Sequence, residues 1–131
     1  MISQNFIVEI ISPDKTIIKI EASEVTIPSY EGQMGILKEH IQLITFLRPG
    51  LVVIKERDVE KKYFVEDGIV EFSNNTLLIL TSTAHSLQDL KKDKIDLMIK
   101  KSQENFDKQG INDKEKYLLS HKIETLKEIS Q

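Results

Sequence analysis

The hydrophobic period of this chain changes near Ala84, and the change decides what it can fold into. Up to about Thr83 the apolar residues come in short runs rich in β-branched side chains: Phe6 to Ile11, Thr16 to Ile20, Val25 to Ile27, Leu43 to Leu47, Leu51 to Lys55, Tyr63 to Glu66, Ile69 to Phe72 and Leu77 to Thr81. Such residues suit the pleated, half-buried surface of a sheet. Turn formers separate the runs at Ser12-Pro13-Asp14, Pro28-Ser29, Pro49-Gly50, Arg57-Asp58, Asp67-Gly68 and Asn74-Asn75. Strands this short at this spacing predict an antiparallel β-sandwich or barrel. Leu77-Leu78-Ile79-Leu80 is apolar on both faces, which predicts a central strand.

Beyond Ala84 no proline and a single glycine remain. Ile95, Met98, Ile99, Ser102 and Phe106 fall at i, i+3, i+4, i+7 and i+11, with lysines and acids on the other side. That is one face of an amphipathic helix. Asp89 or Asp93 is expected to cap it and Gln109-Gly110 to end it. A second helix is expected from Asn112 or Asp113, with Leu118, Leu119, Ile123, Leu126 and Ile129 as its stripe. Two such helices joined by a short glycine turn form an αα-hairpin. The predicted fold class is therefore α+β: a β-sandwich or barrel over residues 1–86, then a helical hairpin over 87–131.

Composition removes several function classes. A net charge of -3 and a pI near 5.6 give no electrostatic footprint for nucleic acid. The absence of cysteine excludes both a disulfide framework and a thiolate metal site. No apolar run approaches the roughly 18 residues needed to span a bilayer. The start Met1-Ile2-Ser3-Gln4-Asn5 lacks a charged n-region followed by an apolar h-region, so the chain is expected to be soluble and unexported. Residues 87–131 carry ten lysines against nine acids, a densely charged and nearly neutral pair of helices.

Residues 27–50 are the most informative stretch, with turn formers at fixed offsets around two short apolar strands and with Gly32 and Gly35 free to adopt positive φ. Pro28, Gly32, Gly35, Leu37, His40, Leu43, Thr45, Leu47, Pro49 and Gly50 agree in order and spacing with PGxxGxxGxLPGHAPLLTxLxPG. The stretch thus resembles the signature of the ε subunit of bacterial F-type ATP synthase. Ser29 replaces the usual first glycine, Lys38-Glu39 the usual Pro-Gly, and Ile41-Gln42 the usual Ala-Pro. Asp67-Gly68-Ile69-Val70-Glu71-Phe72 resembles the family's GGxxEV element, and Leu78 to Ala84 its VLADTA segment. The likeness covers about the first two thirds of the chain; the last third shares only the hairpin pattern.

The resemblance implies a non-catalytic central-stalk subunit that ties the γ shaft to the ring of c subunits in proton-driven ATP synthesis. It implies that the loop Tyr30, Glu31, Gly32, Gln33 faces the c-ring and that His40 and Leu43 face γ. It implies β-subunit contacts through the C-terminal helices, an inhibitory role for the hairpin, no cofactor, and a peripheral place on the cytoplasmic side of the bacterial inner membrane. The family's nucleotide pattern [IL]DxxRA falls on Leu90 to Ile95, where Lys91 stands for the Asp and Lys94 for the Arg. The alternative register from Ile95 restores the Asp as Asp96 but places Ile99 at the Arg. Neither register supplies both groups, which argues against a nucleotide site at Asp93 and Lys94.

The residues themselves point to no chemistry. His40, His85 and His121 lack metal-site spacing, so ordinary surface or turn histidines are expected. Glu31, Glu39, Glu66, Asp67 and Glu71 read as turn and outward carboxylates before they read as an acid/base pair. Gly32-Gln33-Met34-Gly35 lacks the lysine and following helix of a phosphate loop. The lysines Lys91, Lys92, Lys100, Lys101, Lys114, Lys116, Lys122 and Lys127 read as solvated outer helix faces. The alternative function is a stand-alone sandwich-plus-hairpin binding module; an enzyme ranks third, since no convergent polar set exists.

Overall fold

Alternation of apolar and polar side chains produces ten strands, and the helical stripe produces two helices. The computed structural model describes residues 4–130. Met1 to Ser3 of the N-terminal reading and Gln131 at the end of the predicted hairpin lie outside them. The strands are β1 (Phe6–Ile11), β2 (Thr16–Ala22), β3 (Glu24–Ser29), β4 (Gly32–Leu37), β5 (Leu43–Leu47), β6 (Gly50–Glu56), β7 (Val59–Val65), β8 (Gly68–Ser73), β9 (Thr76–Leu80) and β10 (Ala84–Ser86). After a 3-10 turn at Leu87–Asp89 come α1 (Lys92–Phe106) and α2 (Asp113–Ile129).

The strands form one continuous sheet in the order β10-β7-β6-β3-β5-β8-β9-β1-β2, with β4 on β3. The sheet turns its corner where β3 and β5 share the single registered pair Ser29–Leu47. Its two layers close on a core that includes Phe6, Val8, Ile10, Val25, Ile27, Ile36, Val52, Ile54, Val70, Phe72, Leu77 and Ile79. Phe6 and Phe72 meet edge to face at 5.6 Å, the offset that aromatic quadrupoles favour. β9 lies between β8 and β1, the central position expected from its apolar run.

Four details differ from the sequence reading. β1 and β9 pair in parallel while every other registered pair is antiparallel, because these strands are distant in sequence and no hairpin fixes their direction. Residues 32–37 form a full strand on β3, so Gly35 is extended and only Gly32 uses its freedom, at φ 124°. α1 has Lys91 at its N-cap position and no side-chain cap; Asp89 is in the 3-10 turn and Asp93 inside the first helical turn. Asn112 does cap α2, its Oδ1 accepting from the Glu115 amide at 2.8 Å. Glu39 stands in the left-handed region at φ 67°, where the resembled signature has glycine. Asn75 holds it there by accepting from the Glu39 amide (2.8 Å) and donating to its carboxylate (2.9 Å).

The start of β8 is a tight turn. Gly68 has φ 153°, and a Cβ there would lie 2.6 Å from the Leu80 carbonyl oxygen. The facing segment is pinned: Thr81 Oγ1 donates to the Asp67 carbonyl at 2.6 Å, and the Ser82 amide and hydroxyl donate to the Asp67 carboxylate at 3.1 and 2.8 Å. Gly68→Ala is therefore expected to cost at least about 2 kcal/mol of unfolding free energy. Urea titration followed by circular dichroism measures it; a loss under 0.5 kcal/mol, within the usual surface range, would contradict this account.

Candidate interaction surface

A closed two-layer sandwich should bury one face of each strand and wet the other. Here each layer also carries an apolar row on its outside. In the first layer, β6, β7 and β10 align Leu51 with Phe64 and Phe64 with His85. Partners across an antiparallel pair point to the same side, so this row faces away from the core formed by Val52, Tyr63 and Val65. The hairpin covers it: Phe64 is fully buried with Leu90, Ile95 and Leu126, flanked by Leu51, Leu87, Met98, Ile99 and Ile129. Ile95, Met98 and Ile99 of the α1 stripe and Leu126 and Ile129 of the α2 stripe are thereby used. Ser102, at the same face of α1, is buried with its hydroxyl unpartnered.

In the second layer the registers align Phe46 with Ile69, Ile69 with Leu80, and Leu80 with Ile11. This row is bare. Phe46 is 54% exposed, and Ile69 and Leu80 are 43% exposed each. The row lines an open groove of about 700 Å³ with Tyr30, Pro13 and Ser82 at its margins. Toward the other end, Ile44 on β5 and Ile41 in the segment before it add 72% and 78% exposed side chains.

The predicted contact residues separate into two places. Tyr30 and Glu31 form the tip of the β3–β4 hairpin, while Gly32 and Gln33 already pair with Ser29 and Pro28. Ser29 Oγ closes the tip by donating to the Gly32 carbonyl at 2.7 Å. His40 and Leu43 are half-buried at the opposite end of β5, about 14 Å away by strand rise. His40 sits edge-on to Phe72 at 5.9 Å and its Nδ1 lies 2.8 Å from the Ile41 carbonyl; Leu43 packs on the core. Sequence reasoning missed the outward Ile44 and Phe46, although both parities of Leu43–Leu47 carry apolar residues. Asp93 and Lys94 are exposed in the first turn of α1. Among the described residues no cluster of three or more His, Cys, Asp or Glu could hold a metal ion, and no helix is long and apolar enough to cross a membrane.

The Tyr30 tip touches the hairpin. Its ring stacks on Tyr117 of α2 with centroids 6.1 Å apart and lies 6.5 Å from Phe46. Tyr117 Oη donates to the Tyr30 carbonyl at 3.0 Å and accepts from Arg48 at 3.1 Å. Arg48 Nη1 also lies 3.4 Å from His121 Nε2, and the His121 ring meets Tyr117 edge-on at 4.6 Å. The next residue, Lys122, pairs with Glu66, so this lysine faces the sandwich and not solvent as its sequence position suggested.

Residues 5–87 match the family model of the ATP synthase, Delta/Epsilon chain, beta-sandwich domain. The chain is 44% identical over 129 residues to the ATP synthase epsilon chain of Pelagibacter ubique (strain HTCC1062), covering 98% of this chain and 99% of that one. It is 30% identical over 108 residues to ATP synthase epsilon chain 2 of Nitrobacter hamburgensis, covering 82% and 79%. In structure it resembles a chain of the Euglena gracilis mitochondrial ATP synthase OSCP/F1/c-ring assembly, with a TM-score of 0.80 at 19% identity over all of this chain and 84% of that one. It also resembles a chain of the Tetrahymena thermophila mitochondrial ATP synthase central stalk and c-ring, with a TM-score of 0.64 at 16% identity over the full length of both.

Tyr117→Phe keeps the ring stack and removes both hydroxyl bonds. It is expected to weaken hairpin docking by about 1 kcal/mol, the net worth of such bonds at a partly exposed site. Amide exchange of α2 reports it: exchange should speed up several-fold in α2 while that of β1 and β9 stays constant. Unchanged α2 exchange would show that the corner does not hold the helix.

Proposed function

The chain belongs to the ATP synthase epsilon chain family, and from that premise we propose that it is a non-catalytic rotor subunit of the central stalk. In this reading it ties the γ shaft to the c-ring during proton-driven ATP synthesis. It reaches the cytoplasmic side of the bacterial inner membrane as a peripheral part of the complex. The observation that carries the reading is the bare row Phe46–Ile69–Leu80–Ile11 beside a matching row that the chain's own hairpin covers. A protein that seals one outer row and leaves the other to water has a partner for the second.

We assign that row, with the His40 and Leu43 end of β5, to γ, and the Tyr30, Glu31, Gly32, Gln33 tip to the polar loops of the c-ring. No side-chain chemistry is required, because torque transmission asks for stiff packing and an interface that resists shear. The division at residues 86 and 87 is read as a domain boundary, since the sandwich core draws only on residues 6–84. The first turn of α1 is read as no nucleotide site: Asp93 and Lys94 offer no arginine fork for a phosphate.

The hairpin is read as a brake on ATP hydrolysis that contacts β when it leaves the sandwich. Its helices have 15 and 17 residues and so run about 22 and 26 Å. End to end they would reach roughly 45 to 50 Å along a shaft.

Two measurements test this reading. Phe46→Glu, at a side chain that the isolated fold leaves exposed, should change unfolding free energy by less than about 0.5 kcal/mol yet abolish co-purification with γ. Retention of stoichiometric γ binding would exclude the assigned surface. Complexes carrying residues 1–86 in place of the full chain should hydrolyse ATP faster, with both forms present in equal amounts. Equal rates would reduce the helices to a structural role.

A further inference from the structure

Two of the three histidines lie in the seam between the sandwich and the hairpin, and each has cations for neighbours. His121 of α2 faces Arg48, from the turn after β5, at 3.4 Å. On α2 itself Tyr117 packs on its ring, and Glu124 and Glu128 share with it a polar hollow of about 230 Å³ that Gln33 and Thr125 also line. His85 of β10 is registered opposite Phe64 and so points into the covered row. Lys94 from α1, Lys122 from α2 and Glu66, just after β7, act on it, and Glu66 is already paired with Lys122.

We propose that this seam is a proton switch, in which protonating His121 and His85 sets new positive charge against Arg48, Lys94 and Lys122 and loosens the hairpin from the sandwich. The neutral imidazole of His121 can accept from the Arg48 guanidinium, whereas the imidazolium has only N–H donors to present to it. Burial, then Arg48, holds His121 below the ordinary histidine range, with Glu124 acting the other way. Burial, then Lys94, holds His85 below it, with Lys122 adding to that and Glu66 opposing it.

The sign follows directly. A freed hairpin lets both rings return toward the ordinary value of about 6.5, so the docked form binds fewer protons than the released one. Their contribution to docking is complete above about pH 6.5 and is lost as pH falls through the depressed docked values. Side-chain carboxyls in general titrate near 4. The histidines therefore govern the interval between pH 7.5 and 5.5.

The chain has no cysteine, so labels can be placed at Val59→Cys on β7 and Leu97→Cys on α1, both exposed positions. Single-molecule energy transfer on the full chain then measures the released fraction. Between pH 7.5 and 5.5 it should grow several-fold, with up to about two protons linked to release. His121→Gln and His85→Gln should each lower the proton number, by up to about one, and the double substitution should remove the dependence. An unchanged released fraction across this interval overturns the proposal, as does a double variant that keeps the parental pH dependence. If the double substitution itself undocks the hairpin, Lys94→Gln decides, since it touches only an exposed side chain. A weaker pH dependence supports the switch and an unaltered one refutes it. The effect of the switch on hydrolysis rests on the proposed brake. A pH-dependent released fraction alongside hydrolysis indifferent to the hairpin would sink the brake and leave the switch standing.

Discussion

Phe64 is completely buried although it points away from the core of the sandwich, and that single placement ties the two parts of the chain together. Its neighbours along β7, Tyr63 and Val65, face inward, so this strand is buried on both faces. An antiparallel layer with one wet face has no need of helices. Once Leu51 and Phe64 stand side by side on the outside, something apolar must cover them, and the stripe Ile95, Ile99, Leu126 and Ile129 does so. The helical period beyond residue 90 is thus a complement to Leu51 and Phe64, two side chains from separate strands upstream. Each fully buried side chain of this size contributes about 1.5 to 3 kcal/mol, and only a few take part. Docking on so small a seam is reversible in principle, and polar groups at its margin gain disproportionate influence.

Those margins are where Tyr30 matters. Its ring lies against Tyr117 on one side and Phe46 on the other, so a single β-hairpin tip borders both outer faces of the sandwich. The backbone there is fixed, with the Tyr30 amide donating to the Phe46 carbonyl and the Arg48 amide to the Pro28 carbonyl. A ligand on the bare row that displaced Tyr30 would disturb its stack on Tyr117. Movement of α2 would change the surface beside Phe46. The coupling is local and needs no pathway beyond three rings in contact.

Much of this architecture was legible in the sequence, because strands and helices differ in period and that difference survives any tertiary context. The Asn74-Asn75 turn was legible for a definite reason: both residues adopt left-handed φ, 50° and 54°, which asparagine tolerates and a two-residue hairpin needs. The strand at residues 32–37 was not, since its glycines and Gln33 mimic a turn and only its ladder to β3 makes it a strand. The parallel partnership of β1 and β9 follows from closure of the whole sheet, which no local pattern records. The outer rows were hidden for the same reason. Phe46, Ile69, Leu80 and Ile11 belong to four segments, and only their registers place them side by side. The roles of His121, Arg48 and Lys122 likewise depend on where α2 lands, whereas the turn-and-glycine stretch around Pro28 to Gly50 announces itself within one segment.

On the proposed rotor reading, the two predicted contact places sit at the two ends of β5, and what joins them is a ladder. β5 meets β3 at one registered pair but meets β8 at five, from Leu43–Phe72 to Leu47–Gly68. β9 is in turn registered along its whole length with β8 on one side and β1 on the other. Shear applied between the Tyr30 tip and the His40 end therefore runs along three ladders whose inner faces are close-packed and whose ends are pinned. One pin is the Asp67 and Ser82 link; the other is the Glu39 and Asn75 link. Close-packed interiors deform little before they break, so displacement at one end appears at the other. The helices take no part in that path. They lie over β6 and β7, on the other layer, where their attachment can change without softening the strands that would carry torque.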